Sequence, residues 1–188
     1  QEMKYCYNTG DIVAGASSTV VGGVFGSIGK YSYPAYCYNV GHITVDAAAP
    51  QGIGGVVAKA ATDNFNYLKH SHNYGTITVA GSDAAAVTGA VIGGNVISAK
   101  CDHLYYRTDC VVLADGTPKK PADAGVCTEE TEEQFGLGEV AYLLDNGTSV
   151  FRTYHWTQGG NYPVFAASDE KAVFRVTVAE SEHGTLAP

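Results

Sequence analysis

Asp102, His103 and Asp109 stand close together in the chain, and these residue types could do acid–base work or hold a metal ion. His70 and His72 alternate and could join a metal site, although no third ligand is spaced to help them. Cys101, Cys110 and Cys127, with His103, supply the donor types of a zinc site. Glu129, Glu130, Glu132 and Glu133 form an acidic run, but it lacks the alternating Asp and Asn of a calcium loop. Tyr154, His155, Trp156 and Tyr162 form an aromatic group whose ring faces could stack on sugars.

Each group has a plainer reading that outweighs the chemical one. The Asp/His set reads as a decayed repeat with a solvated edge, and the two alternating histidines read as surface residues. The glutamates suit the start of a helix, and the aromatics suit cap packing. For the cysteines, a Cys110–Cys127 disulfide competes with a lone buried Cys127. Tyr5, Tyr7, Tyr31, Tyr33, Tyr36 and Tyr38 crowd one corner, and a Tyr-rich ridge is either a recognition surface or corner packing. Tyr7, Tyr38, Tyr154 and Trp156 are the candidate ligand-binding residues. No catalytic residue, metal site or cofactor is expected.

What positions these residues is a repeat. Cys6-Tyr7-Asn8-Thr9-Gly10-Asp11-Ile12, Cys37-Tyr38-Asn39-Val40-Gly41-His42-Ile43 and Ser71-His72-Asn73-Tyr74-Gly75-Thr76-Ile77 align without gaps, with Asn recurring after 31 and 34 residues. A second element keeps step at intervals of 32 and 35 residues: Val21-Gly22-Gly23-Val24, Ile53-Gly54-Gly55-Val56 and Thr88-Gly89-Ala90-Val91. Two motifs sharing one period in the low thirties predict the turns of a solenoid. The expected fold is all-β, a right-handed parallel β-solenoid (β-helix) of three to four turns with a C-terminal helical and aromatic cap. Helical apolar spacing is absent from the repeats.

The repeat assigns structural roles. Ile12, Ile43 and Ile77 point inward from short strands and stack. Asn8, Asn39 and Asn73 form an internal ladder through their amides. Gly10, Gly41 and Gly75 are expected where a corner demands positive φ. Cys6, Cys37, Ser71 and Cys101 are read as one inward column, with a degraded fourth copy beginning at Cys101.

After about Lys100 the character changes. Residues 111–127 read mostly as loop. Thr131-Glu132-Glu133-Gln134 has capping-box form and opens a helix over about 132–144. Two short extended segments follow, Phe151–Trp156 and Tyr162–Phe165. This closing unit is expected to cover the end of the stack, which otherwise exposes a sheet edge and an open core. The organisation is therefore 1–110 solenoid, 111–165 loop plus capping helix and closing strands, and 166–188 the start of a following β-repeat domain.

Composition narrows the function. The chain has 188 residues, with 23 Gly, 13 Tyr and only 16% charged residues, which favours strands and turns. A net charge of −8 with 11 Lys and Arg scattered along the chain argues against nucleic acid and anionic membranes. No apolar run is long enough to span a membrane. Gln1 falls inside a repeat, so a longer parent chain is expected.

The Cys37–Ile43 motif followed by Ile53-Gly54-Gly55-Val56-Val57 resembles the GLUG-motif repeat. Phe135-Gly136-Leu137-Gly138-Glu139-Val140-Ala141-Tyr142-Leu143-Leu144-Asp145, with Trp156 and Tyr162-Pro163-Val164, resembles the closing segment found after such repeats. GLUG repeats occur in bacterial surface and secreted proteins, including IgA-specific metallopeptidases and adhesin-like proteins of gut bacteria. The resemblance implies an extracellular or cell-surface location, and it carries no catalytic residues. The expected function is a non-catalytic structural or adhesive module of a larger protein, with host or environmental glycans or extracellular proteins as partners. A glycan-binding accessory module of a hydrolase or peptidase is the alternative. A polysaccharide-cleaving β-helix enzyme is disfavoured because Asp11 has His42 and Thr76 at its equivalent positions.

Overall fold

Ile43-Thr44-Val45 and Ile77-Thr78-Val79 alternate apolar and polar residues, and a strand turns such a pattern into one buried and one outer face. In the computed structural model, which describes residues 1–61, 68–94, 101–145, 155–167 and 173, these segments stack in parallel. Ile12–Ala14, Ile43–Val45, Ile77–Val79 and Val111–Leu113 form one four-stranded sheet, pairing Ile12 with Ile43, Ile43 with Ile77 and Ile77 with Val111. Ile43, Ile77 and Val111 are fully buried, each contributing roughly 1.5–3 kcal/mol by leaving water.

The second wall stacks Val20–Gly22, Gly52–Gly54 and Thr88–Gly89, continued by Phe25–Ile28 against Val57–Ala60. The third is the largest sheet: Glu2–Lys4, Tyr33–Ala35, Leu68–Asn73, Cys101–Arg107 and Thr128–Glu130, with Tyr7–Asn8 and Tyr38–Asn39 alongside. The chain is a parallel β-solenoid of about three complete turns with a partial fourth, and its core runs along the axis through Ile53, Val56, Val57, Val91 and Leu104.

Close stacking explains the glycines. A Cβ on Gly41 would lie 2.0 Å from the Gly10 carbonyl oxygen, and one on Gly75 would lie 2.1 Å from that of Gly41. Gly41 and Gly75 are therefore required by contact between turns. Positive φ, expected at Gly10, Gly41 and Gly75, falls instead on Tyr5 (57°), Tyr36 (54°), His70 (47°) and His103 (52°). These four occupy one kink repeated in every turn of the largest sheet. The residue just after the kink explains the recurring Cys/Ser: the Cys6, Cys37 and Ser71 side chains hydrogen-bond to the carbonyls of Lys4, Ala35 and Lys69, spanning the kink.

The fourth turn keeps a different register from the one expected at Cys101. Cys101 pairs with Leu68, whereas Leu104, Tyr105 and Tyr106 pair with Ser71, His72 and Asn73. Leu104 thus completes the column begun by Cys6, Cys37 and Ser71. One extra residue near Asp109, itself at φ 54°, restores the pairing of Val111 with Ile77. Parallel pairing also continues beyond residue 110, through Val111–Leu113 at the start of the stretch expected to be mostly loop and through Thr128–Glu130 just after it.

The expected single helix is two. The Thr131 hydroxyl accepts from the Gln134 backbone N–H and the Gln134 side chain accepts from the Thr131 N–H, and this capping box starts α2, Glu132–Gly136. Gly138 at φ 86° breaks the run before α3, Glu139–Leu144. α1, Ser82–Ala86, lies earlier in the loop after Val79, where no helix was expected. Trp156–Gln158 and Pro163–Phe165 form an antiparallel pair. The expected start of a following domain, 166–188, lies almost wholly outside the described residues, as do residues 151–154.

The closing segment lies along the side of the stack, whereas the sequence placed it over the last turn. α2, α3 and the antiparallel pair cross the outer face of the largest sheet. The last corner is finished by Asp123. Val24 and Phe25 N–H groups donate to the Val56 carbonyl, and Val56 and Val57 donate to that of Val91. One turn later no strand follows among the described residues, and the Asp123 carboxylate takes the N–H groups of Ala90, Val91 and Ile92 at 2.7, 2.8 and 2.8 Å.

Candidate functional site

The Asn residues of the repeat meet inside the stack. Asn8 Nδ2 donates to Asn39 Oδ1 at 2.8 Å and Asn39 Nδ2 donates to Asn73 Oδ1 at 2.8 Å. Each also donates to the carbonyl two residues on, at Gly10, Gly41 and Gly75. These amides are committed to holding neighbouring turns and their own corners, as buried polar groups must be.

Outside the same sheet run two ring columns. Tyr5, Tyr36, His70 and His103 stack at 5.3, 5.0 and 4.9 Å between centroids. Tyr7, Tyr38 and His72 stack at 5.1 and 5.2 Å, with Tyr105 next in register. The kinked backbone aims the first column outward, and the offset of two residues places the second beside it.

The closing segment is a strap docked on these columns. Trp156 packs against Tyr38 and His72, Phe135 against His72 and Tyr74, and Phe165 against Tyr5, Tyr7 and Tyr38. Three imidazoles join strap to solenoid: His70 Nδ1–H donates to the Leu144 carbonyl at 2.8 Å, His72 Nε2–H to that of Pro163 at 3.0 Å, and His155 Nδ1 bonds the Tyr5 hydroxyl at 2.7 Å. Burial pulls the pKa of all three down, that of His72 to about 3, because a dry site disfavours the imidazolium. The Asp145 carboxylate accepts from the backbone N–H groups of His155 and Trp156, while burial pushes its pKa up.

This docking covers two of the four residues expected to bind sugar. Trp156 is fully buried and Tyr38 is 5% exposed, so neither ring has a free face. Burial pushes the Tyr38 phenol up to about 12. Tyr7 is 57% exposed with one face against Tyr38, and Tyr154 lies outside the described residues.

The other chemical candidates are dispersed. Asp102 Oδ1 lies 2.7 Å from its neighbour His103 Nδ1 without hydrogen-bond geometry, and Asp109 lines a separate concavity with Cys110, Cys127 and Glu129. All five cysteines are free thiols, so the disulfide weighed between Cys110 and Cys127 is not formed. Burial pushes Cys110 up to about 12 and Cys101 up to about 11, and Cys127 well above its ordinary value. The Asp123 charge adds to all three shifts, and Cys127 donates to Asp123 Oδ2 at 3.2 Å. Protonated thiols are neither nucleophiles nor metal ligands. Among the described residues, no group of three or more His, Cys, Asp or Glu is placed to hold a metal ion, and no helix is long and apolar enough to cross a membrane.

The strap and the Asn-Gly corners enclose one further feature, a concavity of about 470 Å³ with Asp11, His42, Tyr74, Arg107, Glu132 and Tyr162 in its walls. Sequence reasoning missed it because those residues come from six separate segments. Asp123 was missed as well, since a single Asp between Ala122 and Ala124 carries no local signal of a cap.

No family profile matches this sequence, and no curated protein matches it. Among solved structures, the chain is similar to a "putative immunoglobulin A1 protease from Bacteroides ovatus", with a TM-score of 0.60 and 18% identity over 88% of this chain. The likeness covers 48% of that protein, so this chain spans about half its length. At such identity the likeness shows the shared fold, a β-solenoid.

Proposed function

We propose that this chain is a non-catalytic structural and adhesive repeat module of a larger bacterial surface or secreted protein. The observation that carries this reading is how the recurring residues are used. The Asn, Gly and Cys/Ser positions of each turn are engaged in stacking, and the Tyr/His columns are engaged by the strap. The repeat is thus accounted for by architecture. The fold likeness to the Bacteroides ovatus protein supports a place beside a peptidase, and the GLUG-like motif supports a surface or secreted setting.

The alternative, a glycan-binding accessory module, does not fit at Tyr38 and Trp156, whose faces are covered. The test is biolayer interferometry of the purified chain on immobilised immunoglobulin A1, mucin and collagen, with electrophoresis of the exposed immunoglobulin. Binding without cleavage is the expected result. Cleavage by the chain alone would overturn the non-catalytic reading, and no binding to any surface would remove the adhesive half and leave a spacer.

A further inference from the structure

The concavity beneath the strap has a specific chemistry. Arg107 is held in place: Nε donates to the Tyr74 carbonyl at 3.0 Å, Nη1 to that of Thr108 at 3.3 Å and Nη2 to Thr76 Oγ1 at 2.9 Å. Its guanidinium lies 5.3 Å over the Tyr74 ring. A guanidinium carries five N–H donors, so two remain after these three bonds. On the strap side, Glu132 Oε1 accepts from the Tyr74 hydroxyl at 3.0 Å; on the corner side, Asp11 Oδ1 accepts from the His42 backbone N–H at 2.9 Å. Each carboxylate keeps its second oxygen uncommitted among the described residues. Tyr162 leans on Tyr74 at 5.4 Å and 43°, giving the wall an apolar face.

We propose that this concavity binds one neutral pyranose unit of a glycan. A sugar hydroxyl both donates and accepts, so a hydroxyl set can take the fixed Arg107 donors and give to Glu132 and Asp11. The C–H face of the ring suits Tyr162, because aromatic faces accept such apolar surface. The volume of about 470 Å³ falls within the range of small-ligand sites and takes one ring with its neighbours outside. Two carboxylates against one guanidinium disfavour a uronate, a sialate or a peptide carboxylate by like-charge repulsion. The site is built from four solenoid turns, through Asp11, His42, Tyr74 and Arg107, and two strap segments, through Glu132 and Tyr162, so it exists only when the strap is docked. The proposal does not depend on the scaffold reading, because a sugar site here is compatible with either outcome of the adhesion test.

The experiment is a ¹H–¹⁵N correlation titration of the full chain with the methyl pyranosides of galactose, glucose, mannose and N-acetylglucosamine. Methyl glucuronide and methyl glucosaminide serve as the charged comparisons. At least one neutral pyranoside is expected to give saturable shifts at Gly41, Gly75 and Arg107 Nε, with Kd of about 1–10 mM. Glu132→Gln and Asp11→Asn keep an acceptor and leave the remaining spectrum in place. Each is expected to weaken binding about threefold or more, and Tyr162→Ala about fivefold or more. Absence of saturable shifts at those residues with every neutral sugar would overturn the proposal. So would shifts that all three variants leave unchanged, or tighter binding of either charged sugar.

Discussion

Acid should loosen this protein through His72, and the effect can be sized. His72 is fully buried, its pKa is pulled down to about 3, and its Nε2–H is bonded to the Pro163 carbonyl. In the unfolded chain it titrates near 6.5. Between about pH 6.5 and 3 the unfolded state therefore takes up a proton that the folded state refuses. The His72 contribution is fully present above pH 6.5 and is lost as pH falls through that window, at about 1.4 kcal/mol per unit. At pH 5 the loss is about 2 kcal/mol. His70 and His155 shift in the same direction and add to it, while Asp145 and Glu130, whose carboxyl pKa values are raised by burial, offset part of it at the acid end.

The perturbation is His72→Phe, a ring without a titrating group, in a column where Tyr stands at 7, 38 and 105. At pH 7.5 the variant loses the Pro163 bond and should be less stable by about 1 kcal/mol. At pH 5 the order should reverse, with the variant more stable by about 1 kcal/mol. Urea unfolding followed by the fluorescence of Trp156, whose ring is 5.2 Å from that of His72, reads both values. Parallel pH profiles of the two proteins, with no crossing between pH 7.5 and 5, would refute the argument that His72 is held neutral.

Asp123→Ala strips the acceptor from three buried N–H groups and should cost about 3 kcal/mol or more, a drop of roughly 10 °C in Tm by circular dichroism; Asp123→Asn should cost less. Asn39→Ala breaks the middle of the amide ladder and should destabilise by about 2–4 kcal/mol in urea. Asn8→Ala, at the exposed end, should cost visibly less. Gly55→Ala places a Cβ 2.1 Å from the Ala90 carbonyl oxygen and 2.4 Å from Asn73 Cγ, so the chain should fail to give a cooperative thermal transition. Gly26→Ala meets nothing within 4 Å and should stay within about 0.5 kcal/mol of the parent.

The solenoid was legible because its constraints repeat. Ile12, Ile43 and Ile77 pair in register as their common spacing implies. The fourth turn was misregistered for a definable reason. A search led by Cys fastens on Cys101, while the structure accepts Leu104 at that position and Tyr106 in place of Asn, and then absorbs an extra residue near Asp109. The kink at Tyr5, Tyr36, His70 and His103 was hidden because positive φ is expected of Gly, and here a stacked ring column accompanies the strain at aromatic residues. The strap was legible as an amphipathic helical segment with aromatics, but its receiving surface was not. The tyrosines that receive it were weighed as a recognition ridge or corner packing, and His70 and His72 were read as surface residues, since exposed ring columns and columns awaiting a cover look alike in sequence.

That cover changes how the stack should behave. In a simple solenoid each turn touches only its neighbours, and stability is a sum of local terms. Here Phe165 contacts Tyr5 and Tyr7 of the first turn while Phe135 contacts His72 and Tyr74 of the third. The strap therefore couples turns that never touch one another, and it can form only after those turns are stacked. The third turn is also where both ring columns change from Tyr to His, at His70 and His72, and both imidazoles donate to strap carbonyls. A Tyr at either place would stack as well and would not titrate near neutrality. These two positions, with His155 on the strap, both fasten it and are the groups through which acid can release it, and with it the concavity that Glu132 and Tyr162 help to enclose.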